Sequence, residues 1–271
     1  MGDQQPVELA WQEHGDGVPV VMLPPAATPG EVWRTYQVPA LVRAGFKVMT
    51  VNHRGTAPSP VPPGPYLMSQ LVADVVALVQ LLNCGPVHLI GASLGAFVAQ
   101  EVALTRPDLV RAAVLMGTRA RTDKFRRLLA RALAAQTRST SPASELESLM
   151  HLVQLFGPGT LTDEQKMSDW LELQRRFPTK GAGPAAQYDA SVIGDRRAAL
   201  AGLTRPCLVM AFSADLITPP AAGLEVHQAI PSATYVEFPG LGHFGFLEEP
   251  DAVNQAIIDF LVKSSGESHG P

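Results

Sequence analysis

Short, nearly uninterrupted aliphatic runs alternate along this chain with longer stretches in which apolar residues recur every third or fourth position. Val18-Pro19-Val20-Val21-Met22-Leu23, Phe46 to Val51, residues 86–90, Val110 to Met116, Cys207 to Phe212 and Ala233 to Phe238 read as buried strands. Between them lie helical patterns. One covers Val38 to Ala44, with Pro39 in a first turn that tolerates it. Another covers Ser69 to Leu82, with Leu71, Val72, Val75, Val76, Leu78, Val79 and Leu82 at helical spacing. Others run from Leu94 to about Leu104, from Gly223 to Ala229 and from Pro250 to Val262. Pro24-Pro25 ends the first run and Pro107 stops a helix. Strands apolar along their whole length, alternating with helices, predict an α/β fold whose parallel sheet is covered on both faces.

The rhythm changes at Thr122. From there to about Asp195 the pattern is helical throughout, over 122–137, 142–156, 162–176 and 184–193, with glycine- and proline-rich breaks at 157–159 and 180–184. The expected organisation is a core of residues 1–121 and 196–263, a helical insert over 122–195, and a disordered tail over 264–271.

Composition narrows the function classes. A chain of 271 residues suffices for one large α/β domain with an insert. A net charge of −4 predicts no electrostatic attraction to nucleic acid or an anionic membrane. No apolar run is long enough to span a bilayer, and the polar, acidic start MGDQQPVELAWQEHGDG does not read as a signal peptide, so a cytoplasmic location is expected. Cys84 and Cys207 both abut strands and read as reduced core thiols. No Cys/His cluster has zinc-like spacing, so no metal and no cofactor is expected. The expected partner is a small-molecule substrate. Arginine outnumbers lysine, and alanine and proline are abundant, as in proteins from GC-rich bacterial genomes.

The chemistry begins where the run ending at Ile90 meets Gly91-Ala92-Ser93-Leu94-Gly95 and a helical pattern starts at once. A sharp strand-to-helix turn exposes a serine hydroxyl as a nucleophile, but only a base and an orienting acid make that hydroxyl reactive. In open parallel sheets such groups collect past the C-terminal ends of strands. The run Cys207 to Phe212 leads into Ser213-Ala214-Asp215, and the run ending at Phe238 leads into Pro239-Gly240-Leu241-Gly242-His243. Ser93, Asp215 and His243 thus follow in the order serine, acid, histidine.

These motifs resemble the α/β-hydrolase superfamily. The likeness extends from about Leu9 to Val262 and includes Asn52-His53-Arg54-Gly55-Thr56-Ala57-Pro58-Ser59, Ala214-Asp215-Leu216-Ile217-Thr218-Pro219 and Phe246-Leu247-Glu248-Glu249-Pro250. Ser93 to Glu101 and Val114 to Arg119 are similar to the bacterial cofactor-free haloperoxidase and esterase branch. The resemblance implies a mostly parallel central sheet flanked by helices, a helical cap inserted after the sixth strand and lying over the triad, and Ser93, Asp215 and His243 as catalytic residues. It implies hydrolysis of a carboxylic ester or thioester, with perhydrolysis as a side activity. Where the family usually has His-Gly after the first strand, this chain has Pro24-Pro25-Ala26-Ala27, and prolines have no N–H to donate. Ala26 then takes one oxyanion-donor position and the Leu94 amide the other. Asn52 stands where many relatives carry Asp; Arg54 reads as structural and His53 as a solvated loop residue.

The candidate pocket residues are Pro25, Phe156, Met167, Trp170 and Phe244, with Met150, Leu171 and Tyr188 as further candidates, and Leu94 and Phe244 flanking the reacting groups. Arg126, Arg127 and Arg131 read as a solvated helix face, and no cationic clamp is expected beside the triad, which favours a neutral apolar substrate. Two other functions fit the same residues: a secondary-metabolite tailoring enzyme performing cyclisation, C–C cleavage or elimination, and a small-molecule binder without turnover.

Overall fold

The computed structural model describes residues 5–141, 143–176 and 180–266. Seven strands, β1 (Trp11–His14), β2 (Val18–Leu23), β3 (Phe46–Val51), β4 (Val87–Ala92), β5 (Val110–Met116), β6 (Cys207–Phe212) and β7 (Ala233–Phe238), form one sheet in the order β1-β3-β2-β4-β5-β6-β7. β1 runs antiparallel to β3, and every other pairing is parallel. The hydrophobicity pattern did not reveal β1. It is an exposed edge strand of sequence WQEH, so it carries no apolar run.

Successive strand residues point to opposite faces, and the two faces build two cores. Val21, Leu23, Met49, Leu89, Leu115 and Val209 pack on one side with α2 (Met68–Leu82) and α3 (Leu94–Thr105). Val20, Met22, Val48, Ile90, Val114 and Met210 pack on the other side with α1 (Gln37–Arg43) and α12 (Pro250–Gly266). Both faces are dry, which is why the strands read as continuous rather than alternating. Helix α12 continues through residues 264–266, which were expected to be disordered; the rest of that tail lies outside the described residues.

Between β5 and β6 the chain forms α4 (Lys124–Arg138), α5 (Glu145–Leu155), α6 (Pro158–Leu161), α7 (Glu164–Arg176), α8 (Ala182–Ala190) and α9 (Arg197–Leu200). The insert therefore follows the fifth strand and not the sixth, because a single strand precedes β2. Local capping sets its helix starts. Asp123 accepts from the Arg126 amide to open α4, and Ser144 and Glu147 form a reciprocal capping box at α5. The expected start at 142 lies outside the described residues. Helix α10 (Pro220–Ala229) covers β6 and β7, and the short α11 (Gly245–Glu248) precedes α12.

Cys207 is buried, and burial pushes its thiol up to about 12. Cys84 is exposed and does not join the core, because it lies in the turn between α2 and β4, ahead of the strand proper. No described helix is long and apolar enough to cross a membrane.

Candidate active site

Ser93 follows β4 with φ 52° and ψ −116°, a left-handed conformation that costs a non-glycine residue strain. The strain is held in place by neighbours. The Ser93 amide donates to the Met116 carbonyl at 2.9 Å, and the Ser93 carbonyl accepts from Phe97 at 3.1 Å. The flanking glycines answer to packing: a Cβ on Gly91 would lie 2.3 Å from the Gly95 carbonyl oxygen, and one on Gly95 would lie 2.0 Å from that of Leu23. The motif thus combines a packing requirement at the glycines with a raised hydroxyl at the serine.

Asp215 and His243 meet past the ends of β6 and β7. His243 Nδ1 lies 2.7 Å from Asp215 Oδ2, and both residues are buried. Asp215 is saturated. Its Oδ1 accepts from the Ile217 and Thr218 amides at 2.8 Å each, and its Oδ2 accepts from the Thr218 hydroxyl at 2.7 Å. That hydroxyl oxygen is also 3.2 Å from His243 Nδ1. The carboxylate therefore has no freedom to turn away from the imidazole. Thr218 is a partner the sequence reading passed over, although an Asp followed three residues later by Thr is a local hydrogen-bonding pattern.

The Pro24–Ala27 loop is also fixed. The Thr28 hydroxyl donates to the Ala26 carbonyl at 3.1 Å, and the Thr28 amide donates to the Pro25 carbonyl. Ala27 takes a left-handed φ of 59°, and its amide donates to Gln187 Oε1 at 2.6 Å. Gln187, wholly buried on α8, also donates to the Arg54 carbonyl at 2.7 Å and to the Thr56 hydroxyl at 2.9 Å. Nothing local in the sequence marks Gln187, because its partners are more than a hundred residues away. His53 is buried and not solvated: the loop folds over it, and burial pulls its imidazole down to about 4. Arg54 pairs with buried Asp74 at 2.5 Å, and Asn52 accepts from Gly30 and donates to Ala57, so both knit loops together.

A second joint ties the histidine loop to the insert. Glu248 Oε1 accepts from the Gly242 amide at 2.6 Å, and its Oε2 accepts from the Gly157 amide at 2.9 Å. The Phe244 amide donates to Leu155 at 2.8 Å. The backbones are so close that a Cβ on Gly242 would lie 2.4 Å from the Phe156 carbonyl carbon. A chain of rings continues upward: Phe244 meets Phe156 edge-on at 6.2 Å, and Phe156 lies 4.6 Å from Trp170.

Ser93 and His243 open on one cavity of roughly 750 Å³. Pro25, Ala26, Phe156, Trp170, Tyr188 and Phe244 line it. Met167, Met150 and Leu171 do not. Met167 and Leu171 turn toward the apolar cluster under the insert, and Met150 is exposed on α5. Leu94 is fully buried in the core behind the serine, so it has only its backbone to offer; as the first residue of α3, its amide has no acceptor within the helix. The cavity also holds cations that the sequence did not announce. Arg119 and Arg126 both line it, with His151 on α5. Arg126 is half-buried rather than solvated, ion-paired with Asp123 and bonded to the Ile217 carbonyl, while Arg127 and Arg131 are exposed. Burial and the nearby His243 pull the His151 imidazole below its ordinary range. Among the described residues, no group of three or more His, Cys, Asp or Glu could hold a metal ion.

A parallel sheet with a serine on a strained strand-to-helix turn, and with an acid and a histidine beyond the next strands, is the plan of a hydrolase. Residues 18–250 match the family described as the alpha/beta hydrolase fold, and the chain belongs to that family. A Mycobacterium tuberculosis protein named as the non-heme bromoperoxidase BpoC is 35% identical over 258 residues, covering 94% of this chain and 98% of that one. Its crystal structure superposes with a TM-score of 0.91, at 33% identity over 97% of this chain and 99% of that chain. The enol-lactonase from Burkholderia xenovorans LB400 gives a TM-score of 0.82 at 27% identity, covering 94% of this chain and 96% of that one.

Proposed function

We propose that this enzyme is a cofactor-free serine hydrolase that cleaves a carboxylic ester or thioester. The observation that carries the reading is the hydrogen bond between His243 Nδ1 and Asp215 Oδ2 at the floor of the cavity that also exposes Ser93. Asp215 fixes the imidazole with Nδ1 protonated, so Nε2 is the basic nitrogen. Nε2 accepts the Ser93 proton as the hydroxyl attacks the carbonyl carbon, and the Ala26 and Leu94 amides receive the developing oxyanion. His243 then returns the proton to the leaving alcohol or thiol. Water, deprotonated by the same nitrogen, attacks the acyl carbon; the bond to Ser93 Oγ breaks, that oxygen takes the proton back from His243, and the acid is released. Each oxyanion donor contributes about a hundredfold or more in turnover.

Residues 122–195 act as a cap over the triad and select the substrate. The family likeness to a protein named as a bromoperoxidase supports a second acceptor, hydrogen peroxide, which would release a peracid from the same acyl-enzyme.

The test is intact mass spectrometry after exposure to a fluorophosphonate. The wild type gains one adduct and Ser93→Ala gains none, and ester and thioester panels then rank chain length with and without peroxide. A folded wild type that stays unlabelled and cleaves no ester would overturn the reading.

A further inference from the structure

Arg119 stands apart from every other cation around the cavity. It lies three residues past β5, whose last residue, Met116, accepts from the Ser93 amide. Its Cζ lies 4.6 Å over the ring of Phe97, one helical turn beyond Ser93, and both residues line the same cavity as the serine. The side chain is almost entirely buried, at 4% exposure. Among the described residues its guanidinium makes one hydrogen bond, from Nη2 to the Ser191 carbonyl at 2.7 Å, and its buried Nε has none. No carboxylate among the described residues forms an ion pair with it. Arg126 on the same wall is the contrast, since Asp123 neutralises it locally.

A buried guanidinium cannot shed its proton near neutral pH, and leaving a charge unpaired in an apolar wall is costly. Burial and the neighbouring Arg126 pull Arg119 down to about 10, which still leaves it charged. The fold therefore carries a fixed positive charge on the cavity wall with no carboxylate in ion-pair contact, Asp123 and Asp215 acting on it only from a distance. Leu129, Leu133 and Leu155 supply the apolar remainder of the cavity. We propose that Arg119 is an anion subsite, and that the substrate is an ester or thioester with an apolar body and a free carboxylate that pairs with this guanidinium. The proposal rests on the serine-hydrolase reading above and replaces the expectation of a wholly neutral substrate.

Two matched ester pairs test it and distinguish the side of the scissile bond. On the acyl side, para-nitrophenyl hydrogen adipate is compared with its methyl ester. On the leaving-group side, para-carboxyphenyl butyrate is compared with para-carbamoylphenyl butyrate. In the wild type, kcat/KM for the anionic member of at least one pair exceeds that of its neutral partner by about tenfold or more, the usual scale for a charge-assisted hydrogen bond. In Arg119→Met that ratio collapses toward one. Binding supplies a readout that needs neither turnover nor a folded Arg119 variant: by calorimetry, Ser93→Ala takes up adipate at least tenfold more tightly than adipamide. Active wild type with no anionic preference in either pair, or equal binding of adipate and adipamide, overturns the subsite and leaves the hydrolase reading standing. Selective adipate binding by a protein that cleaves no ester overturns the hydrolase reading and leaves the subsite.

Discussion

The floor and the roof of the cavity are built on opposite principles. On the floor, the acid and the loop are held by several bonds each: Asp215 accepts three hydrogen bonds besides its contact with His243, and the Pro24–Ala27 loop is tied by Thr28 and Gln187. In the roof, Gln154 and Gln174 line the cavity with buried Oε1 atoms that have no partner among the described residues, and Leu146, Leu149, Met150 and Val153 leave α5 with an apolar outer surface. A saturated site has one geometry, and chemistry at an oxyanion requires one geometry. An unsaturated wall waits for groups that a ligand brings. The contrast fits the proposed division of labour, reaction at the floor and selection at the roof, with Gln187 and Glu248 bonding one to the other.

The comparison breaks most sharply at Asp215. Asp215→Asn keeps the shape but offers an N–H where the imidazole needs an acceptor, so the wrong tautomer is favoured. Turnover and fluorophosphonate labelling fall by about 10⁴-fold while the unfolding midpoint stays within a few degrees. Labelling at the wild-type rate would remove Asp215 from the reaction.

The next effect concerns acid. Burial pulls His53 and His88 down to about 4 from the ordinary 6.5. The unfolded chain therefore binds protons near pH 6.5 that the folded chain refuses until about pH 4. Their contribution to stability is complete above pH 6.5 and is lost as pH falls toward 4, by up to roughly 3 kcal/mol for each histidine. Denaturant unfolding across this window would show the decline. A flat profile would mean that neither histidine stays neutral in the folded protein.

The smallest effect lies at the joint. Gln187→Leu leaves the Ala27 amide without an acceptor and two oxygens without a donor, costing about 1–3 kcal/mol in urea unfolding. Because Ala27 adjoins the Ala26 amide, labelling of Ser93 slows as well. Labelling unchanged beside a measurable loss of stability would separate the loop's structural anchoring from its part in the reaction.

The strands of the core were legible because both faces of the sheet are buried, so each strand is one apolar run. The motifs at Ser93, Asp215 and His243 were legible because each is local, a few residues placed by the end of one strand. The exposed edge strand β1 escaped because burial, which writes the hydrophobic pattern, is missing there. The insert helices announced themselves by period, yet the walls they give the cavity did not: Met167 turned away and Arg126 turned in. Local period fixes the face of a helix and leaves open what that face will meet.

By itself, then, the sequence determined the alternation of strand and helix, the helical insert and the chain order of serine, acid and histidine, all consequences of short-range sterics and of which residues leave water. The tertiary structure alone decided that Gln187 and Glu248 join insert to core, that His53 is buried, and that Arg119 lines the serine's cavity without an ion pair among the described residues. Those outcomes depend on groups distant in the chain meeting in space, and a hydrogen bond or an unmet charge between them leaves no periodic trace in the sequence.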